Sequence, residues 1–264
     1  MKIYVCADME GIAGIVLPSQ LQQGESFYQE ARLLMTEEVN AVVEGLLEAG
    51  ASEIIVRDLH ASGFNLRIDR LHPGASYFMG ASRIGERFPG LDSSFNGAIL
   101  LGYHAMAGTK HAVRDHTFSS TTFKGMELNG EPIGEIGIDS LLLGLHQVPV
   151  LLVTGDDKTC QEAENVLPGT ATYQTKRAWG RHSALLEPPS RVNIEIREAV
   201  RQALINQARC TPYTNLGPYE LKVQYMSTDL ADSIPTDGIH QIRLDGSTIL
   251  YKDTDLVSLF SKAL

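Results

Sequence analysis

The chain has 264 residues, 43% hydrophobic and 20% charged, the make-up of an ordinary globular protein with a sizeable core. Its 32 acidic and 22 basic residues leave a net charge of −10 with no Lys/Arg-rich run, which excludes the electrostatic footprint of a nucleic-acid or anionic-membrane binder. Three widely spaced cysteines, Cys6, Cys160 and Cys210, with no CxxC, exclude a disulfide scaffold and a zinc ribbon.

The chain opens on KIYVCA, an apolar strand pattern that breaks at Asp8 and Glu10. A single Lys2 and an apolar run of this shortness, with acid directly after it, do not make a signal peptide, and the expected location is the cytoplasm. Apolar residues at helical spacing predict a helix from Phe27 to Ala49, with Gly50 as its C-cap. Strands are predicted at Glu53–Arg57, at Ala75–Met79 and at Gly97–Gly102. Asn129-Gly130 between two short runs predicts a β-hairpin over Met126–Ile133. A helix over Gly134–Gln147 and a buried strand over Val148–Thr154 follow; the apolar stretch Leu141–Val153 is too short and too polar to span a membrane.

Alternation of α and β with continuously apolar strands predicts an α/β fold: a mainly parallel sheet flanked by helices, with a small hairpin excursion. Leu186-Glu187-Pro188-Pro189-Ser190 reads as a boundary. The expected division is a metal-binding catalytic domain over 1–187 and a smaller C-terminal α+β region over 188–264. That region would contain a helix over Arg191–Ala208, strands at Glu220–Met226 and Gly238–Tyr251 with a turn at Asp245-Gly246, and a short last helix.

The residues that follow the strands carry the chemistry. Open α/β sheets bind ligands beyond the carboxyl ends of their strands. Successive excursions to that edge deliver Asp8 and Glu10, then His60, then His104, and the hairpin returns into Glu135 at a helix start. Imidazole and carboxylate are ligands of first-row transition metals, and two histidines favour zinc over magnesium or calcium. Five donors exceed the three of a catalytic zinc site and suit two metals with a bridging carboxylate. His116 and His111 are both placed to act as acid or base beside such a centre. Asp58 is a candidate to orient a ligating histidine, or else a turn residue. Asp156 and Asp157 in Gly-Asp-Asp read as caps of the next helix. No Lys/Arg cluster adjoins these motifs, which argues against a dimetal phosphoesterase, the competing enzyme reading. A metal-stabilised binding or assembly protein without turnover is the third.

Asp-Met-Glu-Gly at 8–11, Asp58-x-His60, Gly-Tyr-His at 102–104, the later His116, Gly-Glu at 134–135 and Gly-Asp-Asp at 155–157 together resemble the M55 family of zinc D-aminopeptidases. The resemblance is dense to about residue 185 and thin beyond. It implies two Zn²⁺ per subunit held by Asp8, Glu10, His60, His104 and Glu135, with Asp8 bridging and His116 as the catalytic histidine. The loop from His104 to His116 is one residue longer than the family pattern, which keeps His111 in contention. The resemblance further implies short peptide substrates and a homo-oligomer, a decamer enclosing its active sites.

Overall fold

The computed structural model describes residues 1–264 and contains two sheets. Along the chain run β1 (Lys2–Ala7), α1 (Tyr28–Glu48), β2 (Glu53–Asp58), β3 (Ser76–Phe78), β4 (Gly97–Leu101), β5 (Phe123–Leu128), β6 (Glu131–Pro132), α2 (Glu135–Gly144), β7 (Val150–Asp156), α3 (Asp157–Val166), β8 (Ala171–Gly180) and β9 (Ser183–Leu186). There follow α4 (Pro189–Ile205), β10 (Tyr219–Tyr225), α5 (Thr228–Asp232), β11 (Gln241–Arg243), β12 (Thr248–Asp253) and α6 (Leu256–Ala263). The main sheet has the order β3-β2-β1-β4-β7-β8-β9, parallel throughout except for β9. The α/β class and the mainly parallel sheet expected from the sequence are therefore what the chain forms.

β1 shows why its sequence is continuously apolar. Ile3, Val5 and Ala7 enter a core shared with α1 and α4, while Tyr4 and Cys6 enter a second core with Ile136, Leu143 and Ala163 of α2 and α3. A strand covered on both faces has no solvent side on which to place polar residues. A third core lies between α2, α6 and the second sheet, antiparallel in the order β11-β12-β10-β5-β6.

The predicted hairpin forms as β5 and β6 around Asn129-Gly130, and it pairs through β5 with β10 rather than standing alone. The expected division at 187/188 meets the packing at two points. α4, beyond it, packs on α1, and β5, before it, belongs to the second sheet. The predicted helix from Gly134 stops at Gly144, because the chain turns back at Gln147 (φ 61) and Val148 N–H donates to Leu143 O at 3.2 Å. The β8–β9 hairpin had no forecast, since its side chains do not alternate cleanly between buried and exposed.

Two glycines bring the ends of β1 and β4 together. A Cβ on Gly11 would sit 2.0 Å from Tyr103 O, and one on Gly102 would sit 2.4 Å from Asp8 O. Without side chains there, Asp8 N–H reaches Leu101 O at 2.8 Å and Gly11 N–H reaches Gly102 O at 2.7 Å. This contact sets Asp8 and Glu10 beside His104. No helix is long and apolar enough to cross a membrane.

Candidate metal centre

Asp8 and Glu10 extend from the carboxyl end of β1, His60 from β2 and His104 from β4, and Glu135 is the first residue of α2. All five are at most 9% exposed. His60 Nδ1 lies 3.2 Å from Asp8 Oδ1 and 3.0 Å from Glu10 Oε2. His104 Nε2 lies 3.5 Å from Asp8 Oδ2 and 3.3 Å from Glu135 Oε1. The structure thus brings together all five residues singled out in the sequence. Asp8 stands between the two imidazoles, one carboxylate oxygen toward each.

His116 joins them. Its Nε2 is 4.0 Å from Glu10 Oε1, and its ring stacks on His104 with centroids 3.9 Å apart. Donor atoms fall within 4.8 Å of one another in two groups, Asp8–Glu10–His104 and His104–His116–Glu135. His111 is exposed on the loop with φ 61 and takes no part.

Each of the three rings has one nitrogen committed to the backbone. His60 Nε2 is 3.0 Å from Leu21 O, His104 Nδ1 is 3.1 Å from Ala105 O and His116 Nδ1 is 2.8 Å from Arg114 O. A carbonyl accepts only, so these nitrogens carry protons, and the opposite nitrogens, which face the carboxylates, are the ones that could bind a metal once it displaces their protons. Backbone-oriented imidazoles of this kind are how proteins aim histidine at a metal. Glu10 supplies a second indication: its carboxylate is buried, and the counter-charge at its Oε2 is the titratable His60 imidazole, 3.0 Å away. A buried anion in such a cluster is further stabilised by a metal cation. The donor set and its orientation therefore fit metal binding.

Charge in the metal-free cluster is balanced by protons. Burial and the adjacent Glu10 carboxylate push Asp8 up to about 6. Burial opposes ionisation of Glu10 as well, but the His60 imidazole holds it well below the usual carboxylate range. Burial works against the cation at His104, yet Glu135 raises that ring to about 10, and the acids raise His60 well above its ordinary value. Burial and His104 together lower His116, leaving a neutral imidazole. A metal must displace protons from His60 and His104. Titration of metal-free protein with zinc at pH 7.5, in buffers of different ionisation enthalpy, should show release of about two protons from these rings. The apparent zinc affinity should fall as the pH drops.

Residues outside the motifs set this geometry. Thr175 Oγ1 donates to Gly11 O at 2.5 Å, and Lys176 Nζ donates to Glu10 O at 2.7 Å and Ile12 O at 2.6 Å. Three successive carbonyls of the Asp8–Ile12 turn are thereby gripped from β8. Arg87 holds Asp139 through two guanidinium nitrogens and reaches Glu135 Oε2 at 3.3 Å, while Tyr103 Oη donates to Asp139 Oδ2 at 2.6 Å. Sequence motifs gave no sign of Lys176 or Arg87, and neither lies near a metal-ligand pattern.

Asp58 contacts neither ring nitrogen of His60. Its carboxylate accepts from Asn65 N, Asn65 Nδ2 and Leu66 N, and Asn65 Nδ2 also donates to His60 O at 2.6 Å. Its role is to fold the 58–66 loop, which corrects the expectation of a direct histidine partner. Asp156 caps α3 as expected, through Lys158 N and Thr159 N. Its other oxygen accepts from Val113 N at 2.7 Å and ties down the loop that carries His116.

A cavity of about 350 Å³ opens over the cluster, lined by all six of these residues together with Arg87, Arg114 and the 118–121 segment. Larger cavities elsewhere contain none of the cluster. The model of the D-aminopeptidase M55 peptidase family matches residues 1–263. The chain belongs to the M55 family. Among its relatives in this family is the D-aminopeptidase of Bacillus subtilis (strain 168), 30% identical over 264 residues, covering 100% of this chain and 96% of that one. A solved structure, the Zn-dependent D-aminopeptidase DppA from Bacillus subtilis, described as a self-compartmentalizing protease, superposes with a TM-score of 0.93 at 30% identity, covering 100% of this chain and 95% of that chain. The fold matches this M55 structure through both sheets, including the region beyond residue 185 where the motif resemblance was thin.

Proposed function

We propose that this M55 member is a zinc aminopeptidase that removes N-terminal D-amino acids from short peptides. Two zinc ions per subunit would be held by Asp8, Glu10, His60, His104 and Glu135, with Asp8 between them. The observation that carries the reading is the convergence of these buried donors at the carboxyl edge of the parallel sheet. When bound, zinc polarises the scissile carbonyl and makes water acidic enough to attack it at neutral pH.

The chain's own residues do the rest. His116, neutral and with its Nδ1 proton committed to Arg114 O, keeps Nε2 free to take a proton and deliver it to the leaving amine. The segment 118–121 lines the cavity beside the cluster. By analogy with the self-compartmentalizing relative, a homo-oligomer belongs to the proposal; its being a decamer, and a cytoplasmic location, are carried over from the expectations read from the sequence. The 1–187 part would supply the metal ligands and the 188–264 part would buttress them.

Purified protein stripped with a chelator and reloaded with zinc should cleave D-Ala-D-Ala and leave L-Ala-L-Ala intact. Absence of D-Ala-D-Ala cleavage after reloading sinks the reading. In His116→Ala, kcat should drop roughly 10²- to 10⁴-fold with zinc content unchanged, as loss of a proton carrier requires. If zinc content drops as well, His116 is a ligand in the His104–His116–Glu135 group instead.

A further inference from the structure

Two arginines line the cavity, and they are employed differently. Arg87 is saturated by Asp139 and Glu135. Arg114 is not. Its Nε is buried without any hydrogen-bond partner, and its guanidinium has no carboxylate in ion-pair contact, although the chain is strongly acidic. The neighbouring acid, Asp115, is taken by Arg181, which also donates to Asp115 O. Arg114 itself sits at φ 54, in the left-handed region that a non-glycine residue avoids. Its backbone is fixed there by its own N–H donating to Arg181 O at 3.1 Å and by His116 Nδ1 donating to its carbonyl at 2.8 Å.

A half-buried guanidinium with a buried, unpartnered Nε and no carboxylate in ion-pair contact, in a strained backbone conformation two residues from His116, is a receptor awaiting an anion. We propose that Arg114 binds the C-terminal carboxylate of the substrate and makes the enzyme selective for peptides short enough to present that carboxylate inside the cavity. This rests on the peptidase reading above. A dipeptide carries a cation at one end and an anion at the other, about 7 Å apart when extended. The cavity is lined both by the metal-ligand cluster, where the N-terminal residue would be cleaved, and by Arg114, which would take the carboxylate. Its volume, about 350 Å³, is at the small end of ligand sites, which typically run from about 300 to 1,000 Å³. Arg114 is thus a specificity-determining residue, and loss of its contact should appear mainly in KM.

The test compares kcat/KM for D-Ala-D-Ala and for its C-terminal amide, in zinc-loaded wild type, Arg114→Lys and Arg114→Gln, with subunit assembly followed by light scattering. Wild type should prefer the free acid by about 100-fold, the worth of a charge-assisted contact. Arg114→Lys should keep part of that ratio, and Arg114→Gln should bring it to about one, chiefly through the KM of the acid. A wild-type ratio near one, or a ratio that survives in Arg114→Gln, overturns the proposal. So does equal loss on both substrates accompanied by loss of assembly, which would make Arg114 an interface residue. If wild type cleaves neither substrate, the peptidase reading falls on its own. Calorimetry of D-Ala-D-Ala and its amide with the zinc-loaded protein then decides Arg114: tighter binding of the acid that Arg114→Gln abolishes supports it, and equal binding overturns it.

Discussion

Asp8→Ala should lose both zinc ions together while the fold stays intact. Wild type should carry about two zinc per chain by elemental analysis, and the variant close to none after the same dialysis. The reason is geometric. Asp8 Oδ1 faces His60 at 3.2 Å and Oδ2 faces His104 at 3.5 Å, so one side chain serves both halves of the cluster. Peptidase activity should fall at least ~10³-fold, since several kcal/mol of barrier lowering come from the metals. Stability should move the other way in the metal-free state. Burial and Glu10 push Asp8 up to about 6, so at neutral pH the apo fold holds an ion its surroundings disfavour. Metal-free Asp8→Ala should therefore melt no lower than metal-free wild type at pH 7.5. A variant that retained one zinc would limit Asp8 to a single metal, and one that retained two would transfer the bridge to Glu10 or Glu135.

The candidate ligand residues stood out in the sequence because each sits within three residues of a strand end or at a helix start, and strands read as short apolar runs. Parallel neighbours in the order β2-β1-β4 then bring His60, Asp8 and His104 to one edge by topology alone. What surrounds them was not legible, because it depends on contacts between distant parts of the chain. Lys176 meets Glu10 across a separation of 166 residues, from a strand whose buried and exposed positions do not alternate. Arg87 comes from a connecting segment with no motif of its own. No Lys/Arg cluster adjoins the motifs in sequence, yet folding brings Arg87 to the cavity from a distant segment, alongside Arg114 from the loop that carries His116. Asp58 shows the same limit from the other side: its position two residues before His60 suggested a contact that its hydrogen bonds to Asn65 and Leu66 preclude.

Lys176→Met should be the most damaging substitution remote from the zinc ligands. Lys176 is 1% exposed, and its ammonium donates to Glu10 O and Ile12 O beneath the turn that presents Asp8 and Glu10. Methionine conserves much of the volume but strands both carbonyls and removes the cation that offsets buried Glu38. Leaving a buried charge uncompensated costs about 3–5 kcal/mol, which for a chain of this size lowers the melting temperature by roughly 10 °C. Burial already pushes Glu38 up to about 7 with the lysine present, and without it the carboxyl should rise further. For a group whose folded value is raised, the stability contribution is full below the ordinary carboxylate value and is lost as pH rises through the folded one. Lys176→Met should accordingly lose stability as pH rises from the ordinary carboxylate value of 4.5 to beyond 7, further than in wild type, and adding Glu38→Gln should flatten that slope. The double variant separates charge from position. Glu38→Gln removes the stranded carboxylate and keeps an acceptor for Ala13 N, now 2.9 Å from Glu38 Oε2, so much of the melting temperature should return. Zinc affinity should stay low, because nothing restores the grip on the Glu10 and Ile12 carbonyls. Full recovery of zinc binding in the double variant would show that Lys176 acts on the centre through its charge alone.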